Sequence, residues 1–484
     1  MKIAIIGAGI AGIAASIRMA VKGHDIDVFE ANDYPGGKLS AFDQGGYRFD
    51  AGPSLFTMPQ YVDELFRLAG KKPEDFFVYD TLDLVCNYFW DDSTRLHAWS
   101  DPQRFAQEVA ATFGVPESQL LQILEEARFK YELTGKTFLE KNLYSWRTWL
   151  TREVGAALLK ISKLDVFQTM NGVHERYFSE PKMVQLFNRF ATYNGSNPYK
   201  APGLLSMIPH FEHGIGAFYP KGGMVSITNS LYQLALSLGV RFHFSEPVTQ
   251  IVVEQKKVRG IRTAAQGLLP FDRVISNMDV FFTYHKLLPE LPRPHRILRQ
   301  EKSTSALIFY WGIRRSFPEL HLHNILFSNN YKEEFAQLQA GKVFDDPTVY
   351  INISSKCSPE DAPPGCENWF TMVNVPYNAG QDWDTIIVET RKRVLEKVSH
   401  NLGTDIEALL ENESVLEPRS IEHKTSSHLG ALYGTSSNNP FAAFLRHPNF
   451  SKQVQGLYFC GGSVHPGGGI PLALLSAKIV AELT

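Results

Sequence analysis

The sequence predicts an α/β protein in which a Rossmann-like, parallel-sheet domain is interleaved with a discontinuous α+β second domain. Three observations carry this. A short apolar strand near the N-terminus runs into a glycine-rich turn, Gly7-Ala8-Gly9-Ile10-Ala11-Gly12. A strand, turn and helix of similar design close the chain, from Leu457-Tyr458-Phe459 through Gly461-Gly462-Ser463 to Gly469-Ile470-Pro471. Between them, long excursions of different composition alternate with apolar strands that lead back to the first domain. A chain of 484 residues is too long for one typical core. The expected division is 1–75, 220–282 and 420–484 for the first domain, and 76–219 and 283–419 for the second.

The elements follow in order. Lys2-Ile3-Ala4-Ile5-Ile6 is β-branched and apolar without alternation, the pattern of a strand buried on both faces. A helical pattern over 13–21 ends at Gly23. Gly7 permits the tight turn, Gly9 lets the backbone approach a pyrophosphate, and Gly12 lets helix and strand pack closely. Ile10 and Ala11 lie at the start of that helix, whose free N–H groups favour a phosphate. Glu30 closes a second strand, 26–29, and stands 18 residues beyond Gly12, where an acid accepts hydrogen bonds from a ribose. An acid there disfavours a 2′-phosphate, leaving a dinucleotide of the FAD or NAD type.

A second glycine turn, Pro35-Gly36-Gly37-Lys38, precedes a hairpin over 39–49 that bends at Gly45-Gly46, and then Gly52-Pro53-Ser54-Leu55. This succession resembles the flavoproteins with two dinucleotide-binding domains, which implies FAD. From about 59 to 219 the pattern is mainly helical, over 62–69, 102–113 and 116–133 among others. Tyr219-Pro220-Lys221-Gly222-Gly223 announces the return, followed by a helix over 226–238 and strands over 241–244, 247–253 and 274–277. By the same resemblance, Val248 meets the adenine through its main chain. A second excursion carries strands over 306–312, 323–327, 348–353 and 369–375 and a long helix over 385–402.

Composition excludes some classes of function. A net charge of -3 gives no reason to expect nucleic acid or strong attraction to anionic lipid. Four cysteines without a C-x-x-C pair argue against zinc or iron–sulfur ligation. His210 and His213 are spaced like metal ligands but lack a third, so no metal is expected. The first strand begins near Lys2, leaving no room for a signal peptide, and no apolar run approaches the ~18–20 residues that span a bilayer. The expectation is a cytoplasmic protein attached peripherally to a membrane. An aromatic share of 12% fits either large cores or an apolar substrate channel.

The landmarks together resemble the carotenoid desaturase family of FAD flavoproteins, of the bacterial phytoene desaturase type. They include Gly36-Gly37-Lys38, Gly52-Pro53-Ser54, Tyr193-Asn194-Gly195-Ser196-Asn197-Pro198, Ser276-Asn277 and the closing turn. Many related flavoproteins, amine oxidases among them, carry an acid just after the second glycine of that turn; here Ser463 stands there and His465-Pro466-Gly467-Gly468-Gly469-Ile470-Pro471 follows. The run Ile470-Pro471-Leu472-Ala473-Leu474 is most similar to members that desaturate 1-hydroxycarotenoids at the 3,4 bond. The resemblance implies cofactor contacts from Gly37, Lys38, Gly52 to Leu55, Asn277, Leu432, Gly462, Ser463 and Gly469 to Pro471, besides the N-terminal fingerprint and Val248. It also implies hydride transfer to the flavin N5 and proton loss from an allylic cation, with oxygen or a quinone as final acceptor. Such a cation needs little base strength. Glu212 and His213 are the candidate bases, against the reading of a polar pair bonding local backbone. His465 either touches the flavin or substrate or fixes its turn. Arg446 is a clamp or part of a loop. Residues 138–167, with Trp146 and Trp149, are the candidate membrane contact or else core. The remaining alternatives are a phytoene desaturase, a carotenoid isomerase or saturase, an amine oxidase, and a flavin-free escort protein of the same architecture.

Overall fold

The apolar run at the N-terminus becomes the centre of a five-stranded parallel sheet. Its order is Arg241–His243, Asp25–Phe29, Lys2–Ile6, Arg273–Ser276, Leu457–Phe459. The computed structural model describes residues 1–439 and 446–484. Side chains alternate across the sheet. Ile3 and Ile5 face the helices Ile10–Val21, Val225–Ser237 and Ile470–Leu483. Ala4 and Ile6 face the other way, onto a three-stranded antiparallel sheet of Val248–Glu254, Lys257–Thr263 and Leu268–Pro270. Strands hundreds of residues apart in sequence thus lie side by side, and the first and last helices cover one face together.

The second layer system is a seven-stranded sheet in the order Leu410–Leu416, Ser305–Ile313, Glu367–Val375, Val349–Ile353, His323–Leu326, Leu84–Phe89, Arg95–Trp99. Its one parallel pair among the described residues joins His323–Leu326 to Leu84–Phe89. One face, with Phe309, Trp311, Ile351 and Trp369, packs on the helix Trp383–Leu402. The opposite face, with Ile308, Tyr310 and Phe370, packs on the hairpin Ala41–Gln44 and Tyr47–Asp50.

The stretch between 59 and 219 departs from the helical expectation. Tyr79–Thr81, Leu84–Phe89 and Arg95–Trp99 are strands, and the last two form a hairpin closed by Trp90–Ser93. The helices are placed by their end signals. Asp101 accepts the N–H of Arg104 at 2.7 Å and starts Pro102–Phe113, which Gly114 ends at φ 67°. The helix expected to stop at 133 continues as Glu117–Glu140, because Gly135 lies inside it without breaking it.

That long helix carries a buried cation. Lys130 is 1% exposed, and its ammonium lies 2.7 Å from Asp165 and 2.8 Å from Ser206 Oγ, while Arg176 grips both oxygens of Asp165 at 3.0 Å. Removing Lys130 leaves buried Asp165 to Arg176 alone, whose side chain is 45% exposed, and Ser206 without its donor. Lys130→Met should therefore cost about 3–5 kcal/mol, seen as a lower urea midpoint, whereas Arg128→Ala on the exposed face of the same helix should leave the midpoint in place.

Candidate functional site

The two glycine turns meet. Gly7 has φ 96° and donates its N–H to Phe29 at 2.8 Å. A Cβ on Gly12 would lie 2.1 Å from the Gly7 carbonyl oxygen, so only glycine lets the helix start so close to the strand. The N–H groups of the first helical turn have no preceding carbonyl to bind. Glu30 ends its strand with one carboxylate oxygen accepting the N–H of Ala8 at 2.7 Å and the other that of Asn32 at 2.9 Å. The N–H of Glu246 bonds the Glu30 carbonyl at 2.9 Å, bringing the strand that begins at Val248 to the same corner. Gly36 donates to the Ala8 carbonyl at 2.8 Å, and Gly37 lies over Gly9.

Further along, Lys38 reaches across to the Leu432 carbonyl at 3.0 Å. Withdrawal from water lowers its ammonium to about 8, opposed by Asp279. Gly52 abuts the Lys38 carbonyl, and Gly52 to Leu55 are half-buried.

In the closing turn, Gly461 donates to Ser476 Oγ at 2.7 Å, tying the turn to the last helix. Ser463 Oγ accepts the N–H of Val280 at 3.0 Å. Gly462 lies against Gly468, and Tyr433 and Gly434 pack onto the turn, so Leu432 belongs to the same neighbourhood. Gly469, at φ 101°, leads into the helix that Ile470 and Pro471 begin. Asn277 spans both turns: its Oδ1 accepts the N–H of Gly12 at 3.1 Å and its Nδ2 donates to the Cys460 carbonyl at 3.3 Å. The side-chain amide expected to touch a cofactor is thereby occupied at both ends by the protein.

His465 anchors the turn. Its Nε2 lies 2.9 Å from the Lys141 carbonyl and its own carbonyl accepts from Asn449 at 2.8 Å. Arg446 is 2% exposed beneath the turn and donates to the Tyr433 carbonyl at 3.0 Å. No carboxylate pairs with it among the described residues, and burial lowers it to about 10.

The candidate bases lie deeper. Glu212 and His213 occupy a π-helical turn, Phe211–Ile215. Arg189 binds Glu212 at 2.7 Å and Tyr88 Oη at 2.7 Å, wholly inside the protein. Burial pushes the Glu212 carboxyl above its ordinary value against the pull of Arg189. His213 stacks on Phe105, and burial lowers it to about 3. The Glu212 carboxylate is committed to a guanidinium, and an imidazole of such low basicity as His213 is poorly disposed to take a proton. Arg189 was missed in the sequence; its signal is a lone cation in the apolar, aromatic run Leu186-Phe187-Asn188-Arg189-Phe190.

A sequence model of the flavin-containing amine oxidoreductases matches residues 10–483. The chain belongs to that family. It is 51% identical over 483 residues to the 1-hydroxycarotenoid 3,4-desaturase of Flavobacterium sp. (strain P99-3), covering 100% of this chain and 98% of that one. It is 30% identical over 492 residues to the 4,4'-diapolycopene oxygenase of Methylomonas sp, covering 99% and 97%. Among solved structures, putrescine oxidase bound to putrescine shares the fold with a TM-score of 0.65 at 14% identity, covering 100% and 98%. The protein is an FAD-dependent oxidoreductase. Its residues fit that cofactor: Gly9 and Gly12 let the helix start close against the first strand, which leaves its first N–H groups for a pyrophosphate, and buried Arg446, with no carboxylate beside it among the described residues, puts positive potential behind the closing turn.

Two outcomes follow from this geometry. Gly12→Val drives a side chain into the Gly7 carbonyl, so the variant should purify without the visible flavin spectrum of the parent. Buried His174, His447 and His465 are lowered to about 4 and His213 and His323 to about 3. Unfolded histidines take up protons near about 6.5. Stability contributed by the neutral rings is therefore full above about pH 6.5 and lost as pH falls toward the folded values. The thermal midpoint should decline steadily over that window.

Proposed function

We propose that this protein is an FAD-dependent carotenoid desaturase, acting at the 3,4 bond of a 1-hydroxycarotenoid in carotenoid biosynthesis. The full-length 51% identity to a desaturase of that name carries the reading. Ser463 in place of an acid in the closing turn supports it against an amine substrate. In this reading residues 1–75, 220–282 and 420–484 hold FAD, and 76–219 and 283–419 hold the substrate. Gly7, Gly9, Ile10, Ala11 and Gly12 would take the pyrophosphate, Glu30 the ribose and Val248 the adenine. Gly37, Lys38, Gly52 to Leu55, Leu432, Gly462, Ser463 and Gly469 to Pro471 would surround the ring end. Bound FAD supplies the two-electron acceptor, reoxidised by oxygen or a quinone.

The protein's own part is orientation and dryness. Half-buried Leu55, Tyr193, Phe211 and Tyr350 pack against the second core and offer an apolar, aromatic wall to a polyene. Proton loss from a delocalised cation needs little base strength, so the reading requires no proton transfer to Glu212, which Arg189 holds, or to His213.

A carotenoid lives in lipid, and the surface offers a place to fetch it. Trp146, Trp149, Leu150, Leu158, Ile161 and Phe167 are exposed, with Leu159 at 89% and Phe167 at 91%. The helix Arg152–Leu159 buries Val154 and Ala157 yet presents Leu158 and Leu159 to water, so core packing does not account for them. Arg147, Arg152, Lys160 and Lys163 are exposed in the same stretch, beside Glu153 alone among exposed acids there. This apolar and basic surface suits peripheral attachment at the cytoplasmic face of an anionic membrane. No helix among the described residues is long and apolar enough to cross one.

Phytoene, neurosporene and 1-hydroxylated carotenoids supplied in parallel to the holoenzyme should yield a new double bond in the hydroxylated compounds. Consumption of amines alone would overturn the reading, and a colourless protein that takes up no flavin would favour an escort role. In flotation with phosphatidylglycerol vesicles, Leu159→Glu with Phe167→Glu should reduce bound protein about tenfold while turnover of detergent-dispersed substrate persists.

A further inference from the structure

The face of the seven-stranded sheet turned away from the helix Trp383–Leu402 is largely apolar, but one polar line crosses it. Ser54 Oγ lies 2.8 Å from Tyr350 Oη, and Tyr350 Oη lies 2.8 Å from His323 Nδ1. Asn352, opposite His323 in the register, places its Nδ2 3.2 Å from the same Nδ1 while donating to the Leu322 carbonyl at 3.1 Å. A side-chain NH2 only donates, so Nδ1 is an acceptor and the proton of the neutral ring sits on Nε2. That polarises the line: Tyr350 donates to His323, and Ser54 donates to Tyr350. The oxygens of Ser54 and Tyr350 are left with lone pairs to offer, and both residues are half-buried.

His323 shows that the line is maintained against a cost. The ring is 3% exposed, and Nε2 has no hydrogen-bond partner among the described residues. An unpaired buried N–H destabilises a fold. The ring is thus kept for what its other nitrogen does, which is to fix the direction of the Tyr350 hydroxyl.

On the proposed reading of the reaction, the substrate carries one hydroxyl, on C1, and reacts at the C3–C4 bond. Three bonds of about 1.5 Å separate that oxygen from C3, so it lies within about 4–5 Å of the reacting carbons. Whatever recognises it must sit at the reacting end of the substrate site. On the same reading Ser54 does, since it belongs to the Gly52 to Leu55 segment assigned to the ring end of the cofactor, against Lys38. We propose that the Ser54–Tyr350 hydroxyl pair, oriented by His323, is the subsite that accepts a hydrogen bond from the 1-hydroxyl and sets the preference for hydroxylated over hydrocarbon ends.

The test is competition, in one mixture with the holoenzyme, between a 1-hydroxylated carotenoid and its non-hydroxylated counterpart. In Tyr350→Phe and Ser54→Ala the wild-type ratio of kcat/KM values should fall about tenfold or more, mostly through KM. Flavin spectrum and thermal midpoint report whether each variant is folded; should Tyr350→Phe fail there, Ser54→Ala, which removes one half-buried oxygen, carries the test. A 1-methoxy substrate, unable to donate, should be used no better than the hydrocarbon. Folded variants that keep the full preference, or a methoxy end used as well as the hydroxyl, would overturn the subsite. A wild-type enzyme with no preference for the hydroxyl would instead overturn the 3,4-desaturase reading itself.

Discussion

A single side-chain amide holds the two ends of this chain in one place. Asn277 accepts from the first turn of the first helix and donates to the carbonyl at the end of the last strand, while its own N–H bonds the Ile6 carbonyl at 2.8 Å. Gly9, Gly12 and Gly461 all crowd it so closely that a Cβ on any of them would lie 3.0 Å or less from its terminal atoms. The glycines are therefore required twice, once by the turns they make and once by the amide between them. The Gly36 contact with Ala8 and the Ser463 contact with Val280 flank this junction, one on each glycine turn.

Much of the fold was legible because local pattern and long-range packing agree. The unbroken apolar run Ile3 to Ile6, the acid at Glu30, and the Asp101 and Gly114 helix signals all act within a few residues. The hairpin of Leu84–Phe89 and Arg95–Trp99 was legible in principle, since Asp91-Asp92-Ser93 is a turn between apolar runs, but the surrounding helices masked it. What pattern cannot supply is partnership. Glu212 reads as a free carboxylate until Arg189 is seen beside it, 23 positions away. That the Asn277 amide also ties Gly12 to Cys460 is likewise invisible in the sequence. Ser54 and Tyr350 are separated by 296 positions, and no spacing rule would join them.

The aromatic richness of the chain is split between its interior and its surface. Trp311, Trp369 and Trp383 are fully buried core, whereas Trp146 and Trp149 stand in water. Charge is similarly sorted. The chain is slightly acidic overall, yet the apolar surface is flanked by cations, and another cation, Arg446, lies uncompensated below the closing turn. Residues 440–445 hold no carboxylate that could offset it.

The interleaving of the two domains also constrains the order of assembly. A ribosome delivers Lys2–Ile6 first and Leu457–Phe459 last, yet these strands share a sheet with only Arg273–Ser276 between them. Until the final segment emerges, the parallel sheet has an open edge and the N-terminal helix lacks Ile470–Leu483, its neighbour on the same face. A nascent chain therefore keeps this apolar surface uncovered until Leu457–Phe459 and Ile470–Leu483 have been made, so the sheet begun by the first strand is completed only long after that strand has left the ribosome.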